Sequence, residues 1–442
     1  MKMCFFRSAV PVLGLALAAG LLRAAPNPTQ PVPDTLDLPT ALTFALENNF
    51  VIRQAKEQIR QQEGVVLEVT ASRLPSVGAS GSYAREKRAI DFYGDSSYWT
   101  MNITARQALY AGGGIEAGIR GQKLNLEAAT LTLQSVINDA LLDVRTKFYT
   151  VLVDREKIKV QEQNVELLKR QLQDVRSRYE AGTVSNFEVL RAEVSLANAQ
   201  PALITSRNDY RLAIEELRQA LGFVTATEPN VTKTPEFIGR LEFSSLAYEL
   251  RPALASAREK RPDLLRLYKL QTAAEEGILT SRSTYYPTLA LVGGYDWIKS
   301  PTTESFVNSH KGWTVGLQSS WAIFDGRATA GRVAQSRSLL EQAKLAVASA
   351  ELSVDVDVRR AISSLQEANE LAEASKKVTE QAEESVRLAN ARFDAGTATQ
   401  LDVLTAQNDL TTARLNQLQA YYSFNVAVAN VRRAMGLTDD MK

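Results

Sequence analysis

Side chains able to do covalent or metal chemistry are scarce in this sequence. The 442-residue chain has one cysteine, Cys4, and one histidine, His310. Most zinc sites and most Ser/His or Cys/His catalytic arrangements need more, and no carboxylate spacing singles out an acid–base pair. The expectation is a protein with no catalytic residue, no metal site and no cofactor. The acids that do stand out lie in a stretch that occurs twice. RYEAGTVSNFEVLRAE (178–193) and RFDAGTATQLDVLTAQ (392–407) are identical at 7 of 16 positions, at an offset of 392 − 178 = 214. Ser185-x-x-Glu188 and Thr399-x-x-Asp402 have the spacing of capping boxes, the second weakened by Asp in place of Glu or Gln. Gly182 and Gly396 can take the left-handed conformation that ends a long helix. Each copy therefore reads as a turn between two helices, with a carboxylate at the start of the second.

The elements that place these turns are duplicated as well. QALYAGGG (107–114) aligns with WAIFDGRA (321–328), and Trp99 with Trp313, at the same offset. PSVGASGSY from Pro75 aligns with PTLALVGGY from Pro287, and ALENNFVI (45–52) with AREKRPDL (257–264), at an offset of 212. Two repeats, 39–230 and 246–442, are joined by a linker at 231–245. Each reads as helix, two strands, very long helix, turn, helix. The first helices are expected over 39–72 and 246–281. From 115 to 179 there is no proline, and Leu133, Ile137, Leu141, Val144 and Phe148 recur at helical spacing. The counterpart runs from 328 to 393. About 60 residues at 1.5 Å rise make a helix roughly 90 Å long, which must be coiled against others along its length. The turns fall at 181–186 and 395–400. Pro201 is expected to interrupt and kink the first return helix, whereas Leu415 stands at the equivalent place in the second.

Strands are expected near 76–88, 97–110, 288–300 and 312–324. They alternate in hydropathy, as a strand with one apolar face does. All four tryptophans, Trp99, Trp297, Trp313 and Trp321, lie in them, joined by Tyr83, Tyr98 and Tyr295. Aromatics at strand ends are what membrane barrels place at the lipid interface. Four strands cannot close such a barrel, and lipid does not tolerate an open edge, so several copies must pool their strands. His310 reads as a solvated residue in the loop before the last strand. The N-terminus has a basic start, an apolar run from Ala9 to Leu22 and small residues after it, the order of a secretory signal peptide over 1–25. Cys4 precedes that run and is badly placed for lipoprotein processing. A Pro-rich, extended leader follows at 26–38. With 51 basic against 50 acidic residues there is no electrostatic case for nucleic acid.

This order of elements resembles the TolC-like outer-membrane efflux family. The residues that carry the resemblance are the two copies of R-[YF]-x-A-G-T-x-[ST]-x-x-[ED]-V-L, at 178–190 and 392–404, together with the turns ALYAGG and AIFDGR and the duplication. The resemblance implies an α+β membrane protein. Three protomers, each giving four β-strands, would build a 12-stranded β-barrel in the outer membrane, continued by a periplasmic α-helical barrel. It implies an exit duct of a tripartite efflux or type I secretion system. The implied partners are an inner-membrane pump, a periplasmic adaptor (a membrane fusion protein), outer-membrane lipid and two further copies of the chain. The small exposed residues Ala181, Gly182, Thr183, Ala395, Gly396 and Thr397 would touch the adaptor. Glu188, Asp402, Tyr179 and Phe393 would line a gate at the periplasmic tip. Trp99, Trp297, Trp313 and Trp321 would face lipid. The sequence departs from the family's gate pattern at Ala398, where an arginine can occur, and at Thr405, where a second aspartate can. The competing reading is a periplasmic adaptor or coiled-coil scaffold without a barrel. Such a protein would have one hairpin flanked by β-rich domains, against two hairpins and two aromatic strand pairs here.

Overall fold

A computed structural model of the chain describes residues 34–87, 95–223, 235–299 and 310–437. The expected signal peptide and most of the leader lie outside the described residues. The architecture follows the chain as β1 (Thr35–Leu36), α1 (Leu38–Asn48), α2 (Phe50–Ala71), β2 (Ser76–Lys87), β3 (Asp95–Ala111), α3 (Gly114–Glu180) and α4 (Asn186–Leu221). It continues as β4 (Glu236–Phe237), α5 (Leu250–Lys260), α6 (Pro262–Arg282), β5 (Thr288–Lys299), β6 (His310–Ser320), α7 (Ala328–Asp394) and α8 (Gln400–Ala434). Both α3 and α7 have 67 residues, which at 1.5 Å per residue is about 100 Å. Each pairs with the helix that follows it, and α3 also packs along α8, so the side-by-side order is α4-α3-α8-α7.

Two of the expected helices are each broken once. Asn49 leaves the helical region (ψ 127) and its Oδ1 accepts from the N–H groups of Val51 and Ile52 at 2.8 and 3.2 Å, capping α2. Its Nδ2 donates to the Ala220 carbonyl at 2.6 Å, which ties the break to the end of α4. Arg261 is the break in the second repeat (ψ 117), because Pro262 disfavours helical conformation in the residue before it. Pro201, in contrast, does not interrupt α4, which runs unbroken through it. A proline removes one helical hydrogen bond, and the packing of α4 along α3 holds the helix across that gap.

Leu36 at the end of the leader and Phe237 in the described part of the linker enter the core. β1 pairs in parallel with β4, and Leu36 and Phe237 are buried. Arg155 fastens this crossing by donating to the Phe237 and Gly239 carbonyls at 2.5 and 2.8 Å. Around it Leu42, Val144, Phe148, Leu217 and Leu221 form one apolar cluster, halfway along α3. The second repeat builds its own from Ala253, Leu264, Val358, Leu365, Phe424 and Val431. Beyond these clusters the first hairpin is held by thin seams such as Leu172, Val175, Val189 and Ala192. The tips therefore stand far from either core.

The remaining strands form one antiparallel sheet, in the order β2-β3-β5-β6, in which the outer edges of β2 and β6 have no partner strand among the described residues. His310, expected in the loop, is the first residue of β6 and pairs with Ile298. The turns into α3 and α7 use residues of positive φ, Gly112 and Gly113 in the first and Gly326 and Arg327 in the second.

Candidate functional site: hairpin tips and sheet face

The two tips are built alike. α3 ends at Glu180, Ala181 is its C-cap, and Gly182 follows with φ 74. The Gly182 N–H donates to the Tyr179 carbonyl and the Thr183 N–H to the Arg178 carbonyl, both at 2.9 Å. This is the double bond pattern of a Schellman motif. Gly396 and Thr397 repeat it on Phe393 and Arg392, at 3.0 and 2.8 Å. Thr183 and Thr397 each add a hydroxyl donated to the same arginine carbonyl, at 2.8 and 3.1 Å, which accounts for threonine in both copies. These N–H groups of both turns are thereby satisfied within the turn. Ala181, Gly182, Thr183, Ala395, Gly396 and Thr397 are left exposed, and nothing lies within 4 Å of a Cβ built on either glycine.

The starts of the return helices differ, and in the opposite sense to that expected. The shorter aspartate forms the capping box. Asp402 Oδ2 accepts from the Thr399 N–H at 2.7 Å and from the Thr399 hydroxyl at 2.8 Å, while the Asp402 N–H reaches Thr399 Oγ1 at 3.4 Å. Ser185 makes no side-chain cap bond. Glu188 turns instead to Arg191, 3.6 Å away, whose guanidinium lies 4.7 Å from the Phe187 ring centre. The positions matching Arg191 and Phe187 in the second tip are Thr405 and Leu401, so the arginine that pairs with Glu188 has no counterpart beside Asp402. The Thr399 backbone N–H, then its hydroxyl, hold the Asp402 carboxyl below the usual aspartate range, with a smaller pull from Arg392.

Asp402 also lines an open groove of about 900 Å³ between α7 and α8, together with Glu380, Glu384, Arg392, Ala398 and Asp409. Tyr179 is exposed, and Phe393 is half-buried because the Arg178 guanidinium sits 4.7 Å from its ring centre. Arg178 also lies 3.9 Å from Asp394. It thus joins the end of α3 to the end of α7, a link that sequence reasoning did not anticipate.

At the other end, the register sorts the sheet into two faces. Tyr83 pairs with Trp99, Met101 with Trp297, Ile103 with Tyr295, and Tyr295 with Trp313, so the odd-numbered residues share one face. Val315 and Leu317 continue it and are more than 60% exposed. The other face carries Ser80, Ser82, Asn102, Thr104, Asp296, Thr314 and Gln318. Tyr98 pairs with Ala84 on that second face, apart from the other aromatics. Trp321 lies just beyond β6, not in it, and its indole N–H donates to the Tyr285 carbonyl at 3.1 Å. There it joins the exposed Tyr285, Tyr286, Ile323 and Phe324 where the sheet meets the helices. Trp313 and Trp321 are 321 − 313 = 8 residues apart. That is about 26 Å along a strand, or roughly 20 Å of height at barrel tilt, comparable to the ~25 Å apolar band of a membrane barrel. Among the described residues no helix is long and apolar enough to cross a membrane.

The family model described as outer membrane efflux protein matches twice, over residues 41–223 and 253–437. Protein CyaE of Bordetella pertussis is 26% identical over 399 residues, covering 89% of this chain and 83% of that protein. Outer membrane protein TolC of Salmonella enteritidis is 24% identical over 390 residues, covering 84% and 76%. Among solved structures, the Campylobacter jejuni CmeC outer membrane channel has a similar fold, with a TM-score of 0.80 at 15% identity, covering 91% of this chain and 87% of that one.

Proposed function

We propose, from the premise that this chain belongs to the outer membrane efflux protein family, that three copies close a 12-stranded barrel continued by a ring of six helical hairpins. The protein is an outer-membrane exit duct of the TolC type, working in a tripartite efflux or type I secretion system and reaching into the periplasm. Its family is one of transport channels, not enzymes. The observation that supports pooling of strands between copies is the four-stranded sheet with one apolar face and, among the described residues, two unpaired edges; three copies bring the strands to 4 × 3 = 12. Such edges cannot face lipid, and joining β6 of one copy to β2 of the next removes them all. The two separate matches of one family model support descent by duplication, with one hairpin in each half.

The sheet's odd-numbered face, with Trp99, Trp297 and Trp313, meets lipid, and Trp321 marks the periplasmic rim of the same band. Ala181, Gly182, Thr183, Ala395, Gly396 and Thr397 meet a periplasmic adaptor that links the duct to an inner-membrane pump. Their support is exposure, small size and N–H groups already bonded within the turn, which lets a partner approach closely. Asp402, Glu188, Tyr179 and Phe393 line the narrow periplasmic end.

The test uses both tips at once. Gly182→Trp combined with Gly396→Trp should abolish efflux, while heat-resistant trimers are still recovered from the detergent-extracted outer membrane. Normal efflux by that variant would remove the tips from the adaptor interface. Wild-type protein that never yields trimers would remove the duct reading itself.

A further inference from the structure

We propose that the outer rim of the sheet is a docking surface for the phosphorylated glycolipid of the outer leaflet, whose phosphates are held by Lys299, Lys311 and Arg85. This rests on the trimeric outer-membrane duct proposed above and adds the lipid that its barrel selects.

The apolar face of the sheet is charged at one end only. Its odd-numbered residues over 77–85, 99–107, 289–299 and 311–319 include three charged ones, Arg85, Lys299 and Lys311, and all three are basic. The even-numbered residues of the same spans carry one of each sign, Arg106 and Asp296. The excess of positive charge therefore belongs to the face that meets lipid. Lys299 is the last residue of β5, Lys311 the second of β6, and Arg85 lies two residues before the end of β2. All three stand at the end of the sheet away from the helices. Lys311 is 321 − 311 = 10 residues from Trp321 at the opposite rim. That is about 33 Å along a strand, or roughly 25 Å of height at barrel tilt, the full apolar band of a membrane barrel. The charges thus leave the hydrocarbon at the level where outer-leaflet phosphates lie.

The register seats each lysine across from a tryptophan. Lys299 pairs with Trp99, and Lys311 with Trp297. An interfacial indole offers the aliphatic stem a surface to lie along, while the ammonium reaches past it into the headgroups. Lys299 follows Trp297 by two residues, so it is the diagonal neighbour of Lys311 on the same face. Such pairs stand roughly 7–8 Å apart, close enough for both ammonium groups to donate to one phosphate. Arg85 is exposed on β2, at the opposite edge of the sheet. Joining β6 of one copy to β2 of the next sets β5, β6 and β2 side by side, each with one cation at its outer end. A guanidinium there adds a bidentate grip to two point charges. Three such clusters form, one at each joint between copies. A phospholipid with a single phosphate would leave cations over in each cluster. A glycolipid with a phosphate at either end of its disaccharide uses all three, and it is the lipid of the leaflet that this end of the barrel enters.

The experiment adds bis-phosphorylated lipid A, phosphatidylglycerol or inorganic phosphate to detergent-purified trimers. Bound lipid is counted by native mass spectrometry, and trimer melting gives the stabilisation. Bis-phosphorylated lipid A should bind wild-type trimers and raise their melting temperature, and the other two probes should do neither to the same extent. Equal stabilisation by phosphatidylglycerol or inorganic phosphate would make the rim a general anion surface and overturn the glycolipid as occupant. Each cation removed should weaken lipid A binding about fivefold, so that Lys299→Gln, Lys311→Gln and Arg85→Gln together cost roughly a hundredfold. Lys376→Gln, an exposed change on α7, should leave binding unchanged. Wild-type affinity in trimers of the triple variant would show that the three cations are merely solvated, and would overturn the proposal. The comparison of lipids on wild-type protein stands whatever the yield of the variants. Wild-type trimers that bind no lipid A overturn the docking surface and leave the duct intact, whereas a wild-type chain that never forms trimers overturns both.

Discussion

Thr399 and Asp402 satisfy one another at the start of α8, and the same carboxylate borders the groove at the tip. A cap and a gate make different demands on this side chain. The cap needs an acceptor for the Thr399 N–H, whereas a ring of three acids needs the charge. Asparagine keeps the acceptor and loses the charge. Asp402→Asn should therefore leave trimer stability near wild type but weaken cation selectivity, or block by multivalent cations, in planar bilayers. Matching selectivity and block would make Asp402 a cap alone. The pH dependence has a definite sign. The native carboxyl titrates below its ordinary value because Thr399 bonds to the charged form, so its stabilising contribution is complete above the unfolded pKa and disappears as pH falls through the lowered one. Cation selectivity carried by Asp402 should thus persist through the ordinary aspartate range and fail only in stronger acid, while the asparagine variant shows no such step.

At the scale of elements, each repeat fastens its last helix to the break between its first two. Gly222 ends α4 with φ 79, and a Cβ there would collide with the Asn48 carbonyl oxygen. Gly436 follows α8 with φ 71, and its Cβ would lie 2.7 Å from the Arg261 backbone nitrogen. Only a residue without a side chain lets the helix end seat on the break. Arg261 is buried, which works against its charge, yet Asp263 at 2.6 Å and Asp357 at 3.2 Å keep it protonated. Gly222→Ala and Gly436→Ala should each destabilise the protein, the left-handed backbone alone costing about 1–3 kcal/mol and the clash adding to it. Thermal melts of the trimer would measure the loss. Gly182→Ala, with a similar φ and open space around it, should cost only the backbone part. Equal losses at Gly182 and Gly222 would show that the seat on Asn48 contributes nothing.

Over the whole molecule, what could be read from the sequence was what neighbours in sequence decide. Period-two alternation marked the four strands and the proline-free runs marked α3 and α7, because each depends on residues a few positions apart. The break at Arg261 was legible too, in Pro262, although the periodicity over 246–281 hid it. Other features depend on partners far along the chain. Thr35 meets Glu236 across 236 − 35 = 201 residues, in a ladder of two residues per strand that no local pattern announces. The capping boxes came out in reverse order because Arg191 draws Glu188 away, a competition set by side-chain placement on the helix surface. The link from Arg178 to Phe393 needed the two tips brought together before it could be seen.

The orientation of the sheet is the assignment on which the whole duct depends. Leu317 and Gln318 are adjacent in β6, so they point to opposite faces and differ in little else along the chain. Leu317 pairs with Leu291 on the apolar face, while Gln318 pairs with Ala290 on the polar one. If the odd-numbered face meets lipid, Leu317→Arg puts a charge in hydrocarbon, at a cost of roughly 2–4 kcal/mol near the midplane and less toward the rims. Gln318→Arg puts the same charge into a water-filled lumen. The first should lower the yield of heat-resistant trimers in the outer membrane. The second should leave assembly intact and shift ion selectivity toward anions, since an arginine-lined pore favours them. A reversed pair of outcomes would turn the barrel inside out, with Trp99, Trp297 and Trp313 in the lumen. Equal tolerance of both would mean that neither face of this sheet meets lipid.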